Sequence, residues 1–434
     1  MIKVMNQPKK IIQMLRIGCL VILVLYFVVG CSINSADNEK EIETGPEWTF
    51  LFYDNADFTN AGDPMYFFMT ETYSSENVNV LVLQDTNYGP ATIWHIDENH
   101  ERQAVRELGE VDMGSSQTVS DFVEFAKTNY PARRYIISFY NHGGGWTGAC
   151  NDDTDNGFLY MEDIRKGLAD NGGVDLVLFS APCLMGALES VYELRDCTSV
   201  YIGSENLSGY MWWFGTMEYI CDTLNRFPKI GNYTLARNII SNIQENASQS
   251  TEYYDDYFTM SAIKTDGIEN AVTALNDVGA AYLNNIDTAY PIIKSLSGTY
   301  QTYYDGFCTD AYDFLSKLHA VETDPQLRTL LENAMNELSL LVLAEEHGAN
   351  LPGTHGLSIF FPGPQRYNYY NGYTWDELGL DFPVNTQWDE FVGAYISKEL
   401  QSSHGPKLQT GKIPENPIII PQFGTDGLSP VPEK

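Results

Sequence analysis

Tyr135-Ile136-Ile137-Ser138-Phe139-Tyr140 runs directly into Asn141-His142-Gly143-Gly144-Gly145-Trp146, and further on Val174-Asp175-Leu176-Val177-Leu178-Phe179 runs into Ser180-Ala181-Pro182-Cys183. Both segments are rich in β-branched and aromatic residues and too short for a helix, so each reads as a strand that ends where a reactive side chain begins. Trp48 to Tyr53, Val78 to Leu83 and Ser199 to Gly203 are runs of the same kind. Helical patterns separate most of them. Thr118 can cap a helix with Asp121 at its third position and Val119, Phe122, Val123 and Ala126 on one face, and another helix is expected from Leu184, with Ala187, Leu188, Val191 and Leu194 inward. Strands alternating with helices predict an α/β fold with a mainly parallel central sheet covered on both faces. In such sheets ligands and chemistry sit beyond the carboxyl ends of the strands.

Outward from this half the chain changes character twice. From about Met217 it turns helical, with apolar residues at helical spacing over Leu235 to Ala247, Ile268 to Leu283 and Gln326 to Leu343, before Leu357 to Phe361 returns to strand. At the front, Lys3, Lys9, Lys10 and Arg16 precede an apolar run from Ile17 to Val29, then Gly30 and Cys31. That run is short for a span, which needs about 20 residues. The pattern Val28-Val29-Gly30-Cys31 resembles a bacterial lipobox, which implies a signal peptide over residues 1–30 and a lipid on the Cys31 sulfur. Polar residues 31–46 read as a flexible tether, and Pro-rich residues 399–434 as an extended tail. The expected divisions between are a catalytic core over 47–230 and a mostly helical part over 231–398 that returns to the core.

The 434 residues carry 25 basic against 58 acidic side chains, a net charge of −33. Nucleic-acid binding depends on basic surface that displaces counterions, so DNA and RNA are excluded as partners. With 44% hydrophobic residues the chain can fill a sizeable core without disulfides, and no pairing is assigned among Cys150, Cys197, Cys221 and Cys308.

If the two strands that end at His142 and Cys183 are neighbours, imidazole and thiol project into one cleft. A cysteine becomes nucleophilic when a base or a helix N-terminus favours its thiolate, and with a helix starting at Leu184 Cys183 would have both. A glycine at 143 would let a carbonyl approach its amide, which with the amide of Cys183 could form an oxyanion hole. The bland alternative is a surface histidine and a buried small cysteine.

The run Phe139-Tyr140-Asn141-His142-Gly143-Gly144-Gly145-Trp146 closely resembles the clostripain family of cysteine peptidases. So do Cys183-Leu184-Met185-Gly186, Tyr192-Glu193-Leu194 and Gly203-Ser204-Glu205, and later Gly356-Leu357-Ser358-Ile359-Phe360-Phe361-Pro362 with Trp388. The similarity extends over about residues 47 to 397. It implies a caspase-like α/β sandwich and an endopeptidase acting on proteins or peptides. In it His142 would be the general base and Cys183 the nucleophile that forms a thioester. It also implies two departures. Family members commonly carry an aspartate two positions before the cysteine to receive Arg or Lys in the S1 pocket, where this chain has Ala181. Glu205 is then the candidate substitute carboxylate, with Trp212 and Trp213 as apolar walls, and the preference is expected to shift from Arg and Lys toward an uncharged or larger residue. The basic residue at which relatives are often matured is also missing, since no Lys or Arg occurs between Tyr135 and Ile164. A single-chain active form is therefore expected.

Calcium dependence in some relatives draws attention to Asp152, Asp153 and Asp155 on a turn with Asn156 and Gly157, hard oxygen donors of the kind calcium takes. No cofactor is expected to be required, and calcium is the one candidate. A second, weaker group is Asp54, Asn55 and Asp57. The whole reading is a monomeric, lipid-tethered cysteine endopeptidase on the cell envelope or surface. A non-catalytic surface lipoprotein that keeps the fold and binds a protein partner is the alternative.

Overall fold

Strand β1 (Trp48–Ala56) is buried along its whole length because it lies in the middle of a nine-stranded sheet. The computed structural model describes residues 45–56, 71–87, 89–249, 254–363, 367 and 378–403. The signal peptide, Cys31, the tether through residue 44, Asp57 and the tail from residue 404 lie outside the described residues. Beside β1 run β2 (Val78–Thr86) and β5 (Arg134–Tyr140), then β8 (Leu176–Phe179) and β9 (Val200–Gly203), all parallel. The adjacency on which the sequence argument was conditional holds: β5 pairs with β8, Ile136 opposite Leu176 and Phe139 opposite Phe179. With β3 (Gly89–Ile96), β4 (Arg102–Gly109), β10 (Thr259–Lys264) and β13 (Val342–His347), the sheet order is β13-β10-β9-β8-β5-β1-β2-β3-β4. The chain moves one way from β1 to β2 and the other way through β5, β8 and β9, so the topological switch point lies between β1 and β5.

Side chains of β1 alternate between two apolar layers. Trp48, Phe50 and Phe52 pack with helices α4 (Thr216–Arg226) and α5 (Asn232–Ser248) through Ile220, Leu224, Leu235 and Ile239. Leu51 and Tyr53 face the other layer. That layer holds α1 (Ser116–Asn129), α2 (Met161–Ala169), α3 (Leu188–Glu193) and the helices of the second half, among them α6 (Ile268–Asn284), α7 (Ala311–Val321), α8 (Pro325–Leu341) and α9 (Trp388–Ser403). This is the caspase-like sandwich, a mainly parallel sheet between helical layers with a helix-rich C-terminal region. Among the described residues no helix is long and apolar enough to cross a membrane.

Several local expectations change. Strands β3 (Gly89–Ile96) and β4 (Arg102–Gly109) extend the sheet by an antiparallel meander. The edge strand β4 is mostly exposed and carries Arg102, Arg106 and Glu107, charges that discourage pairing with another chain and hide the strand from a hydrophobic pattern search. In the helical half, β10 (Thr259–Lys264) and β13 (Val342–His347) add antiparallel strands at the opposite edge, so that half completes the main sheet instead of only packing on it. Helix α1 is capped by Ser115, whose hydroxyl accepts from Gln117 N at 3.2 Å; Thr118 lies inside the first turn and donates to Asp112 O at 2.6 Å. Helix α9 continues through Ser403, past the point where the tail was expected to start.

Candidate active site

The turn after β5 is built by a buried asparagine. Asn141 takes a positive φ of 149° and is held there by its own side chain. Its amide nitrogen donates to Asn55 O at 2.8 Å and Asn151 O at 3.1 Å, while its Oδ1 accepts from the His142 amide and from Asn151 N. The end of β1, the histidine turn and the next hairpin are thereby joined through one residue. That hairpin is β6 (Gly148–Asp152) with β7 (Gly157–Tyr160). His142 itself is half-buried, and its carbonyl accepts from Cys150 N at 2.9 Å.

Gly143 pairs with Ala149 across this turn. The flanking bonds run from Cys150 N to His142 O and from Gly144 N to Gly148 O, which makes Gly143 the non-hydrogen-bonded member of the ladder and directs its N–H away from Ala149. The absence of a side chain here has a steric cause: a Cβ on Gly143 would lie 2.5 Å from Cys183 O and 2.7 Å from Cys183 N. The contact this glycine permits is with the backbone of the cysteine turn, in place of the substrate carbonyl expected there.

Cys183 does not sit at a helix N-terminus. Leu184 takes φ +62°, the chain turns, and α3 begins only at Leu188, so the helix dipole does not favour the thiolate. The turn is stitched instead to its neighbours: Leu184 N donates to Asn206 O, Gly186 N to Ser204 O, and Ser358 N to Gly186 O. The thiol is fully buried, its Sγ accepting from Ser208 N at 3.2 Å. Burial pushes it up to about 12, against a small opposing effect of that amide.

The expected specificity residues are inside the protein. Ala181 is fully buried in the same apolar layer as Tyr140, Trp212 and Trp213. Trp212 is 2% exposed and packs edge-on against Phe258. Glu205 is buried as well. Its Oε2 accepts from Gly356 N at 3.0 Å, and burial, with Asp310 and Glu345 nearby, raises its carboxyl well above the usual range. Asp310 accepts from His355 N at 2.6 Å and from Asp313 N at 2.7 Å. Glu205 thus fastens the segment around Gly356 beneath the cysteine turn, where a Cβ on Gly186 would fall 3.0 Å from its Cγ.

The acidic turn does not form a cation cradle. Both oxygens of Asp152 accept backbone N–H groups, from Met113 at 2.8 Å and Asp155 at 2.9 Å, and Asp153 accepts from the Asn151 amide. Asp54 accepts from Gln84 Nε2 at 2.9 Å, and Asn55 donates to Asn151 O. Among the described residues no group of three His, Cys, Asp or Glu side chains could hold a metal ion. Cys150, Cys183, Cys197, Cys221 and Cys308 are all free thiols and all buried. Asn141, Ser208 and Glu189 shape the site without having been singled out in the sequence. Only Asn141 carried a signal, its place between a strand and the histidine.

Comparison with known proteins gives one consistent answer. A family model described as the clostripain family matches residues 66–400. Clostripain of Hathewaya histolytica is 25% identical over 317 residues, covering 60% of this chain and 59% of that protein, so the chain spans less than two thirds of the relative's length. A secreted C11 cysteine protease from Bacteroides thetaiotaomicron, solved with an irreversible peptide inhibitor, shares the fold with a TM-score of 0.56 at 16% identity. That likeness covers 81% of this chain and 99% of that one. An inactive zymogen C11 protease from Parabacteroides distasonis gives 0.58 at 17%, over 77% and 98%.

Proposed function

The chain belongs to the clostripain family, and on that premise we propose that it is a cysteine endopeptidase, tethered outside the cytoplasm by a lipid on Cys31, with Cys183 as nucleophile and His142 as its base. The observation that carries the reading is the contact between the two turns, close enough that only glycine fits at 143. In the reaction the Cys183 thiol gives its proton to the His142 imidazole as Sγ attacks the scissile carbonyl. The oxyanion is received by the N–H groups of Gly143 and Cys183, and the proton then passes to the leaving amine as the tetrahedral centre collapses to a thioester. Water, deprotonated by the same imidazole, releases the acyl half.

In the buried arrangement the thiol, at about 12, is protonated at neutral pH. The segment from Ser208 to Trp213, which covers the sulfur and donates to it, has to withdraw for substrate to reach it. The S1 pocket is proposed to take an uncharged residue. Ala181 offers no carboxylate, and Glu205 is committed to Gly356, so an Arg or Lys side chain would be left unpaired. A single-chain active form follows from the lack of a basic residue in the β6–β7 hairpin. The donor set of Asp152, Asp153 and Asp155 does not fit a calcium ion, and no step is assigned to one.

The test is cleavage of a mixed peptide library by the mature chain beside Cys183→Ala. Cleavage that vanishes in the variant supports the dyad, and the residue before each cut reports S1. A profile dominated by Arg and Lys would overturn the shifted specificity. Silence of both proteins, each folded, would overturn the enzyme.

A further inference from the structure

The end of the sheet opposite the candidate site has a feature the peptidase does not use. The five parallel strands start at Trp48, Val78, Arg134, Leu176 and Val200, and the segment Phe227 to Asn232 lies across four of these starts. Trp48 Nε1 donates to Pro228 O at 2.8 Å, Arg134 donates to Pro228 O and Ile230 O, and the Asn232 amide reaches Asp175 Oδ1 and Ser199 Oγ. On this rigid base stands an open groove of about 720 Å³ lined by Phe227, Pro228, Lys229, Ile230, Gly231 and Thr234. Phe227 is 57% exposed, one of few large apolar side chains so placed among the described residues. Arg226, Lys229 and Arg133 are exposed around it, in a chain of net charge −33. Glu47 beside them is already paired with Arg133 and Arg134; Glu76, on the neighbouring turn, is exposed.

The described chain begins at this same end, since Glu47 O accepts from Arg134 N and Trp48 N donates to Asn77 O. Fourteen residues, 31 to 44, separate it from the proposed lipid anchor, at most about 50 Å of extended chain. Such a tether keeps the fold near the bilayer but cannot by itself choose which face meets it. We infer that the face formed by Phe227, Ile230, Lys229, Arg226 and Arg133 rests on the surface of the membrane that holds the lipid, and so turns the candidate active site away from it. The inference depends on the lipid-anchor reading of Cys31. An aromatic side chain rimmed by cations suits the interface between acyl chains and anionic headgroups. Glu76, Glu98, Glu101 and Asp222 are also exposed at this end, so the orientation rests on Phe227, on the cations that flank it and on the point at which the tether joins the fold. Strand β5 spans roughly 20 Å, so Cys183 would stand at least that far above the lipid, open to substrates in the medium.

The experiment uses the mature lipidated chain reconstituted into phosphatidylethanolamine and phosphatidylglycerol vesicles that contain a spin-labelled lipid. Phe227→Cys and Met211→Cys are labelled separately with a thiol-reactive fluorophore. The cysteines of the described fold are all buried, so the label goes to the introduced thiol. Met211 is 39% exposed and lies three residues past Ser208, at the site end. Fluorescence at 227 is expected to shift to the blue and to be quenched several-fold more strongly than at 211. Equal quenching, or stronger quenching at 211, with the protein still bound to vesicles, would overturn the orientation. Wild-type protein that stays in the supernatant and takes label at Cys31 would overturn the anchor, and the orientation with it.

Discussion

Replacing Glu189 by Gln should make the protein less sensitive to alkaline pH, by an amount the structure sets. Glu189 opens α3, four residues before its sister Glu193, and is fully buried. Its Oε1 accepts from Phe360 N at 2.7 Å, which clasps the Gly356 to Pro362 segment to the helix that follows the cysteine turn. Its Oε2 has no hydrogen-bond partner among the described residues. Burial raises the carboxyl from 4.5 to about 7, only partly opposed by the Phe360 amide. A carboxyl whose folded value is raised keeps its proton where the unfolded chain has released it. Stability therefore falls as pH rises through the window from 4.5 to 7, and the full cost persists above it. At 1.36 kcal/mol per unit the whole effect is about 3 kcal/mol, of which about 2.5 kcal/mol develops between pH 5 and pH 8. Glutamine keeps the acceptor for Phe360 and cannot ionise. In urea unfolding at pH 5 and pH 8, the stability of Glu189→Gln relative to wild type should therefore move in the variant's favour by about 2.5 kcal/mol. An unchanged difference between the two pH values would refute the reasoning, because it would mean that Glu189 ionises at the same pH folded and unfolded.

Three further outcomes are expected. Gly143→Ala forces a methyl against Cys183 O and N, which costs about 1–3 kcal/mol of stability and displaces an oxyanion donor; peptide cleavage should fall about 100-fold or more while circular dichroism still shows a folded chain. Wild-type activity in that variant would sink the assigned contact. Alkylation of Cys183 by iodoacetamide at pH 7.5, followed by mass spectrometry, should run about a hundredfold slower than for free cysteine, since a thiol at about 12 is almost wholly protonated and the greater nucleophilicity of its thiolate offsets only part of that; a rate near that of the free amino acid would show the sulfur to be open. Treatment with EDTA should leave the thermal midpoint unchanged, because Asp152 spends both oxygens on Met113 and Asp155; a fall of several degrees would restore the calcium site.

What could be read from the residues followed from patterns that act locally. Runs such as Tyr135 to Tyr140 and Leu176 to Phe179 have to be buried strands whatever surrounds them, and alternation with amphipathic helices such as Ser116–Asn129 leaves a parallel sheet as the way to bury both. Strand β4 escaped because an edge strand bearing Arg102, Arg106 and Glu107 has no apolar period to detect. Strands β10 and β13 escaped because their partners, β9 and each other, are supplied by segments far away in sequence.

By itself the sequence determined the class of fold, the ends of the strands at which chemistry could sit, and the candidacy of His142 and Cys183, because each depends on neighbours within a few residues. Tertiary structure alone decided the rest. It buries Cys183 beneath Ser208, delays α3 to Leu188, turns Glu205 toward Gly356, spends the Asp152 oxygens on backbone amides and makes Gly143 a steric necessity. The physical reason is common to all five. Burial, ionisation and hydrogen-bond partnership are set by whatever packs within a few ångströms, and at this site much of that is chain distant in sequence, from Ser208 against Cys183, 25 residues on, to Gly356 against Glu205, 151 residues on.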